Sequence, residues 1–219
     1  VQGGGKSLAA KAVAGYWGMA LLRLDMGALF NKFYGETERN LRQALELADA
    51  MSPCVLWIDE IEKGMSQDGN DNGTAQRLLG TLLTWMAERK TRVFIVATSN
   101  DISRLPPELI RKGRLDEIFF VDLPDETIRG EIFAIHLAKR GFNPEHFDLA
   151  RLSAASEGFN GAEIEQAVVA GVFAARAAQC QLDAAMLVTE CAGTSPLSVV
   201  MAEQIAGLRR WASDRTVPA

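Results

Sequence analysis

Val1-Gln2-Gly3-Gly4-Gly5-Lys6-Ser7 opens the chain, and its reading decides how everything after it is read. Three consecutive glycines lead into Lys-Ser and then into the run Leu8-Ala9-Ala10-Lys11-Ala12. A glycine turn that opens a helix is a phosphate cradle. Without Cβ atoms the backbone approaches an anion closely, and the N–H groups of the first helical turn point at it. In the pattern G-x-x-x-x-G-K-[ST] the lysine reaches the outer phosphates and the hydroxyl holds Mg²⁺. Gly5, Lys6 and Ser7 fill its last three places, and its first glycine would fall one residue before Val1. A flexible glycine-rich terminus is the competing reading, and residues further along have to decide between the two.

Bulk properties narrow the field. The chain has 219 residues, 48% hydrophobic and 23% charged, which is ordinary globular composition with ample length for a core. A net charge of −5 argues against a protein that coats nucleic acid. The three cysteines, Cys54, Cys180 and Cys191, are odd in number and lack metal-ligand spacing, so they read as reduced thiols. With His136 and His146 the only histidines, an all-protein zinc site is not expected. No apolar run approaches the ~18–20 residues of a membrane span, and no signal segment is visible. The expected setting is a soluble, reducing compartment, the cytoplasm.

Outward from the glycine turn, the pattern Leu8, Ala12, Val13 predicts a short helix ended by Gly15 and Gly18. Ala20–Asp25 reads as a strand. Leu41, Ala44, Leu45 and Ala48 mark one face of a helix over residues 37–51, which Ser52-Pro53 stops. Cys54-Val55-Leu56-Trp57-Ile58 is continuously apolar, as in a strand covered on both faces of a parallel sheet. Gly64–Gly73 is a polar, glycine-rich loop, followed by a helix with Leu78, Leu79, Leu82, Leu83 and Met86 on one side. Val93–Thr98 is another strand. Pro106-Pro107 starts a short helical piece closed by Gly113, and Glu117–Val121 is a last strand leaving through Leu123-Pro124.

Strands alternating with helices imply a parallel α/β sheet over residues 1–124. Residues 125–219 read as helices only. Asp125 caps the first, Asn160 with Glu163 forms a capping box for the second, and two more span about residues 183–191 and 198–212.

Asp59-Glu60 follows the most apolar strand directly, where a parallel sheet places its ligand crevice. An aspartate there holds Mg²⁺, and the adjacent glutamate accepts a proton from an attacking water. Two solvated carboxylates at a strand end are the alternative, which a lysine-bearing glycine turn makes a poor one. At the next strand end, Asn100 can orient a water or a phosphate oxygen, or simply occupy a turn. Arg111 and Arg114 read as surface cations or as arginines that reach a phosphate on a neighbouring subunit.

Taken together these residues resemble a known family. Val1–Ser7 resembles a Walker A motif, and Val55–Glu60 the Walker B motif of the AAA+ superfamily. Residues 93–120, VFIVATSNDISRLPPELIRKGRLDEIFF, resemble the second region of homology that marks the AAA subfamily proper. Lys32-Phe33-Tyr34-Gly35-Glu36-Thr37-Glu38 is similar to the pore-loop segment of AAA protein remodellers, and Phe159–Ile164 to their lid motif. Trp57–Gly64 and Gly80–Trp85 look most like the uncharacterised AAA proteins first seen as a conserved chloroplast reading frame, also found in cyanobacteria and other bacteria. Two departures stand out. The Walker A loop has Gly3-Gly4-Gly5 where Pro-Gly-Thr-Gly is commoner, and no lid arginine follows Gly161-Ala162, which fits the AAA subfamily.

The resemblance implies a role for each matching residue. The backbone of Gly3, Gly4 and Gly5, with Lys6, Ser7 and Leu8, would hold ATP. Ser7 and Asp59 would hold Mg²⁺, Glu60 would activate water, and Asn100 would sense the γ-phosphate. Arg111 and Arg114 would act in trans, Gly161 and Ala162 would lie against the nucleotide, and His136 near the adenosine. A half-buried helix histidine remains the alternative for His136. Lys32, Phe33 and Tyr34 would grip a polypeptide, and Gly64–Gly73 would form a second pore loop.

The function implied is ATP hydrolysis in a homo-hexameric ring that threads or remodels a protein, in the cytoplasm or a plastid stroma. An ATP-dependent scaffold that does not thread is the second reading. A nucleic-acid motor is a third and weaker one, since an acidic chain offers few phosphate contacts. The fold implied is a sheet in the order 5-1-4-3-2 with a helical lid. Its first strand would precede Val1, so the chain is expected to be a piece of a longer protein that folds poorly and binds ATP weakly alone.

Overall fold

Cys54–Asp59 (β2) is buried at every residue, the pattern expected of a strand with neighbours on both edges and cover on both faces. A computed structural model describes residues 1–29, 36–65, 72–111 and 113–218. In it β2 pairs in parallel with Ala20–Asp25 (β1) and with Val93–Ala97 (β3), giving a three-stranded sheet in the order β1-β2-β3. The register sets Ala20 beside Cys54 and Asp25 beside Asp59, and on the other edge Cys54 beside Val93 and Ile58 beside Ala97. All three strands therefore end together, so whatever follows Asp25, Asp59 and Ala97 shares one rim.

Helices cover this sheet. Lys6–Trp17 (α1) contacts β1 and β2, while Glu36–Ala50 (α3) and Asn72–Glu88 (α4) contact each other. Leu41, Leu45 and Ala48 are buried from α3, and Leu78, Leu82 and Met86 from α4, both at helical spacing. With Leu56, Ile58 and Leu109 they make one continuous core. Met26–Leu29 (α2) adds Met26, which is fully buried.

The described chain divides into two compact units, Lys6–Phe119 and a second one made of Val1–Gly5 with Phe120–Ala219. The second unit is built on Glu126–Ala138 (α5), Leu149–Ala155 (α6), Gly161–Ala177 (α7) and Ala184–Ala192 (α8), packed around Phe133, Leu137, Leu152, Ile164, Val168 and Leu187. Asp125, Asp148, Asn160 and Asp183 each accept a first-turn N–H of the helix they precede. The capping box expected of Asn160 and Glu163 is complete. Buried Arg129 forks onto Ser153 O at 3.1 and 3.0 Å and reaches Pro124 O at 3.1 Å. That satisfies a cation which would otherwise be costly inside.

Four expectations need correction. Gly15 does not end α1, which runs on to Trp17 and stops at Gly18, whose φ of 63° belongs to glycine. The segment after Pro106-Pro107 is a pair of turns, Leu109 N to Pro106 O and Ile110 N to Pro107 O, rather than a helix. Prolines have no N–H to continue a ladder. Of the strand expected at Glu117–Val121 only Phe119–Phe120 (β4) is extended and paired, with Val217–Pro218 (β5). Strand length follows the available partner, not the propensity of the segment alone. The last expected helix is interrupted at Met201, giving Leu197–Val200 (α9) and Ala202–Ala212 (α10).

Candidate active site

Thr98 is the residue through which the rim is wired. It follows β3 and its hydroxyl donates to Asp59 Oδ1 at 2.8 Å. The same oxygen accepts from Trp57 Nε1 at 3.4 Å and from the Glu60 backbone N–H at 3.3 Å. One donor and two acceptor sites exhaust a hydroxyl. Backbone bonds of Thr98 N to Ile58 O at 2.9 Å and Ile61 N to Thr98 O at 3.0 Å carry the pairing past the last ladder residue. Asp59 and Glu60 thus hang from a fixed point.

The other Asp59 oxygen takes a fork from Arg23, Nη2 at 2.7 Å and Nε at 3.2 Å. Arg23 projects from β1 beside Trp57 in register, touches Asp25 Oδ2 at 3.3 Å, and lies 5.0 Å from the centroid of the Trp57 ring. Burial works to raise the Asp59 carboxyl, but the Thr98 hydroxyl and the Arg23 guanidinium outweigh it and hold the pKa below the ordinary value. Asp59 is therefore an ionised carboxylate whose orientation is set twice.

Glu60 turns away from Asp59 because its backbone is left-handed, φ 50° and ψ 52°. A residue with a Cβ gives up about 1–2 kcal/mol in that region, and such strain concentrates at working sites. The turn aims the carboxylate at β3: Oε1 accepts from Asn100 Nδ2 at 3.2 Å, and Oε2 from Lys63 Nζ at 2.5 Å. Asn100 is held in turn by Glu62, whose Oε1 accepts the Asn100 backbone N–H at 3.0 Å.

Lys6 opens α1 and is half-buried. Burial lowers its pKa, while Glu62, then Asp59 and Glu60, favour its charged form. Its electrostatic neighbours are thus the acids of the rim. Ser7 and Leu8 are exposed at the start of the same helix.

The structure therefore brings Lys6, Asp59, Glu60 and Asn100 into one electrostatic neighbourhood. Arg111 is exposed, and Arg114 Nη1 donates to Glu108 O at 2.6 Å, beside Gly113 at φ 91°. Neither pairs with Asp59 or Glu60, which are engaged by Arg23 and Lys63 among the described residues. Lys32, Phe33 and Tyr34 lie outside the described residues, as do residues 66–71 of the second expected loop. Sequence reading passed over Thr98, Arg23, Glu62 and Lys63. An arginine between leucines in a parallel strand was a usable signal for Arg23; the other three look like ordinary strand-end residues.

The second unit holds the remaining candidates. Gly3 has φ +70°, and a Cβ there would sit 2.5 Å from Asn160 Oδ1. Gly161 comes close from the same side, its own Cβ position 3.3 Å from Gly3 O. Gly4 is walled by Val121 Cγ1 at 3.1 Å, and Gly5, at φ +86°, is open. Gly161 and Ala162 begin α7, just inside the capping box. His136 is half-buried on α5, 3.4 Å from Glu165 Oε1, and burial lowers its pKa against the pull of Glu165.

As donors, Ser7 and Asp59 suit a hard cation that keeps its remaining sites for water and phosphate oxygens, which is how Mg²⁺ is usually held. Among the described residues no cluster of three or more His, Cys, Asp or Glu forms a cage on its own. Among them, too, no single helix is long and apolar enough to cross a membrane; one bent pair, Ala184–Val200 with Ala202–Ala212, passes on length and composition only.

The family profile described as "ATPase family associated with various cellular activities (AAA)" matches residues 1–123. The chain is 44% identical over 217 residues to the "Uncharacterized AAA domain-containing protein ycf46" of Pyropia yezoensis, covering 98% of this chain and 44% of that protein. The like-named protein of Guillardia theta is 44% identical over 216 residues, 97% of this chain and 43% of its own length. That of Trieres chinensis is 43% identical over 218 residues, 97% and 44%. The chain spans less than half the length of these curated relatives.

Proposed function

Because this chain belongs to the AAA family of ATPases, we propose that it is the hydrolytic core of an oligomeric ring, a homo-hexamer, that turns over Mg·ATP and uses the cycle to remodel or thread a protein. The observation that carries the hydrolytic reading is the Asn100 amide on the Glu60 carboxylate at 3.2 Å, beside an Asp59 that is separately anchored. Two adjacent acids with separate partners can take separate tasks.

In this reading the backbone of Gly3, Gly4 and Gly5 and the Lys6 ammonium bind the phosphates, with Ser7 and Leu8 at the helix start. Ser7 and Asp59 would hold Mg²⁺, which when bound offsets the charge of the β- and γ-phosphates. Glu60 accepts the proton of the attacking water, and Asn100 holds Glu60 and the γ-phosphate to one geometry. Lys63 must release Glu60 Oε2 for that oxygen to act as a base. Arg111 and Arg114, engaged with neither acid of their own unit, are assigned to the site of a neighbouring subunit. An arginine supplied in trans is worth on the order of 10³–10⁵ in rate elsewhere. Gly161 and Ala162 are assigned to the nucleotide, and His136, its pKa lowered by burial, to the adenosine. Lys32, Phe33 and Tyr34 grip the substrate.

The domains assigned are the nucleotide-binding part, 1–124, and the lid, 125–219. In the sheet order 5-1-4-3-2, β1, β2 and β3 are assigned as the second, third and fourth strands. The setting assigned is the cytoplasm or a plastid stroma.

The test is Glu60→Gln in the full-length protein. Mg·ATP affinity is expected within a few-fold of the parent, with phosphate release reduced about 10²–10⁴-fold. Unchanged phosphate release would remove Glu60 from the role. Phe33→Ala separates a threading motor from a scaffold: the motor keeps its ATPase and loses work on the substrate, whereas a scaffold is scarcely affected.

A further inference from the structure

Glu62 is the acid of the rim that the mechanism above leaves without a task. It lies in the 3₁₀ turn Ile61–Gly64 that follows Glu60, and only 4% of its surface is exposed. Its Oε1 accepts the Asn100 backbone N–H at 3.0 Å, whereas its Oε2 is buried with no hydrogen-bond partner among the described residues. A carboxylate buried with half its acceptors unused is costly, and an apolar side chain would fill the same space without that cost. Costly groups that persist belong to sites where geometry matters more than stability. Of the acids that favour the Lys6 charge, Glu62 also acts most strongly, ahead of Asp59 and Glu60.

We propose that Glu62 is a positioning residue for hydrolysis: its Oε1 ties the Asn100 loop to the turn that carries Glu60, so that the Asn100 amide is delivered to the Glu60 carboxylate. Two bonds close this loop, the Asn100 backbone on Glu62 and the Asn100 side chain on Glu60. Because residues 60 and 62 belong to one short turn, the first bond fixes the place from which the second is made. The role rests on the ATPase reading above, and it requires Glu62 to act through Asn100 rather than on the nucleotide.

The test compares Glu62→Gln, which keeps an acceptor of the same reach, with Glu62→Met, which keeps the volume and removes the acceptor, in the full-length protein. Without nucleotide, hydrogen exchange at the Asn100 amide is expected to rise about tenfold or more in the Met variant and to stay near the parent value in the Gln variant. With Mg·ATP, kcat is expected to fall about 10–100-fold in the Met variant, KM staying within about threefold. The loss must also vanish in an Asn100→Ala background, because a residue that acts through another adds nothing once that other is gone.

Unchanged exchange in the Met variant, additive losses with Asn100→Ala, or a change confined to KM would each overturn the proposal. Should Glu62→Met fail to fold, Glu62→Asp withdraws the acceptor by one methylene and must raise the same exchange rate. No turnover in the parent protein would sink the hydrolase reading and the positioning role together, whereas turnover with unaltered exchange sinks the role alone.

Discussion

The hydroxyl of Thr98 and the carboxylate of Asp59 meet at 2.8 Å across the ends of two neighbouring parallel strands. Thr98 also takes the Trp57 indole N–H and the Glu60 backbone N–H, so one buried oxygen sets the acid, the ring below it and the strained turn beside it. Thr98→Val keeps the shape and strands an aspartate oxygen and two donors. A destabilisation of about 1–3 kcal/mol is expected, read as a lower urea midpoint at unchanged slope. Thr98→Ser should keep most of the stability. A valine variant as stable as the parent would show the hydroxyl to be dispensable.

Asp59 also predicts a response to acid. Its folded pKa is depressed by Thr98 and Arg23 against the effect of burial, so its contribution to stability is full above the unfolded value near 3.9 and is lost as pH falls through the folded value. Arg23→Gln removes one of the depressing partners, leaving Thr98 and Lys63, and raises the folded value towards the unfolded one. The midpoint of acid unfolding, followed by circular dichroism, should therefore move to higher pH. A midpoint unmoved or shifted downward would show that Arg23 does not support Asp59.

Gly3 and Gly5 separate conformational strain from collision. Both have positive φ, but only at Gly3 would a Cβ strike Asn160, at 2.5 Å. Gly5→Ala is expected to cost about 1–2 kcal/mol through strain alone, and Gly3→Ala more. In an Asn160→Ala background the excess at Gly3 should disappear, although that background is itself weaker by about 1 kcal/mol for loss of the cap. Equal costs at the two glycines would remove the collision from the account. Thermal melts of the four variants decide it.

The cysteines offer a chemical readout of the fold. All three are free; Cys180 is exposed, while Cys54 and Cys191 are buried. Burial pushes the Cys54 thiol up, and the Cys191 thiol to about 11. Only the thiolate reacts with alkylating reagents, so at pH 8 Cys180 should be labelled first and alone. Cys54 and Cys191 should follow only with denaturant, each reporting the opening of its own unit. Rapid native labelling of Cys191, measured by peptide mass, would contradict its burial in the helical core.

Local patterning alone determined a good deal of this protein. The apolar run 54–58, the helical spacing of Leu41, Leu45 and Ala48, and the Asn160–Glu163 box foretold their elements, because strand burial, amphipathicity and capping are written over a few residues. The Gly-Lys-Ser turn and Asp59-Glu60 named the candidate chemistry for the same reason. Boundaries that depend on distant partners were not legible. Gly15 stays helical, the residues after Pro106-Pro107 make turns, and β4 is short because its length is set by β5, almost a hundred residues later. Nor could the wiring of the rim be read from the chain. Thr98, Arg23 and Glu62 lie 39, 36 and 38 positions from the residues they hold, and the pairing of parallel strands with the turns that follow them makes them neighbours. The sequence therefore determined which groups are present at the rim, whereas the tertiary structure decided which acid is anchored, which is strained, and which amide reaches Glu60.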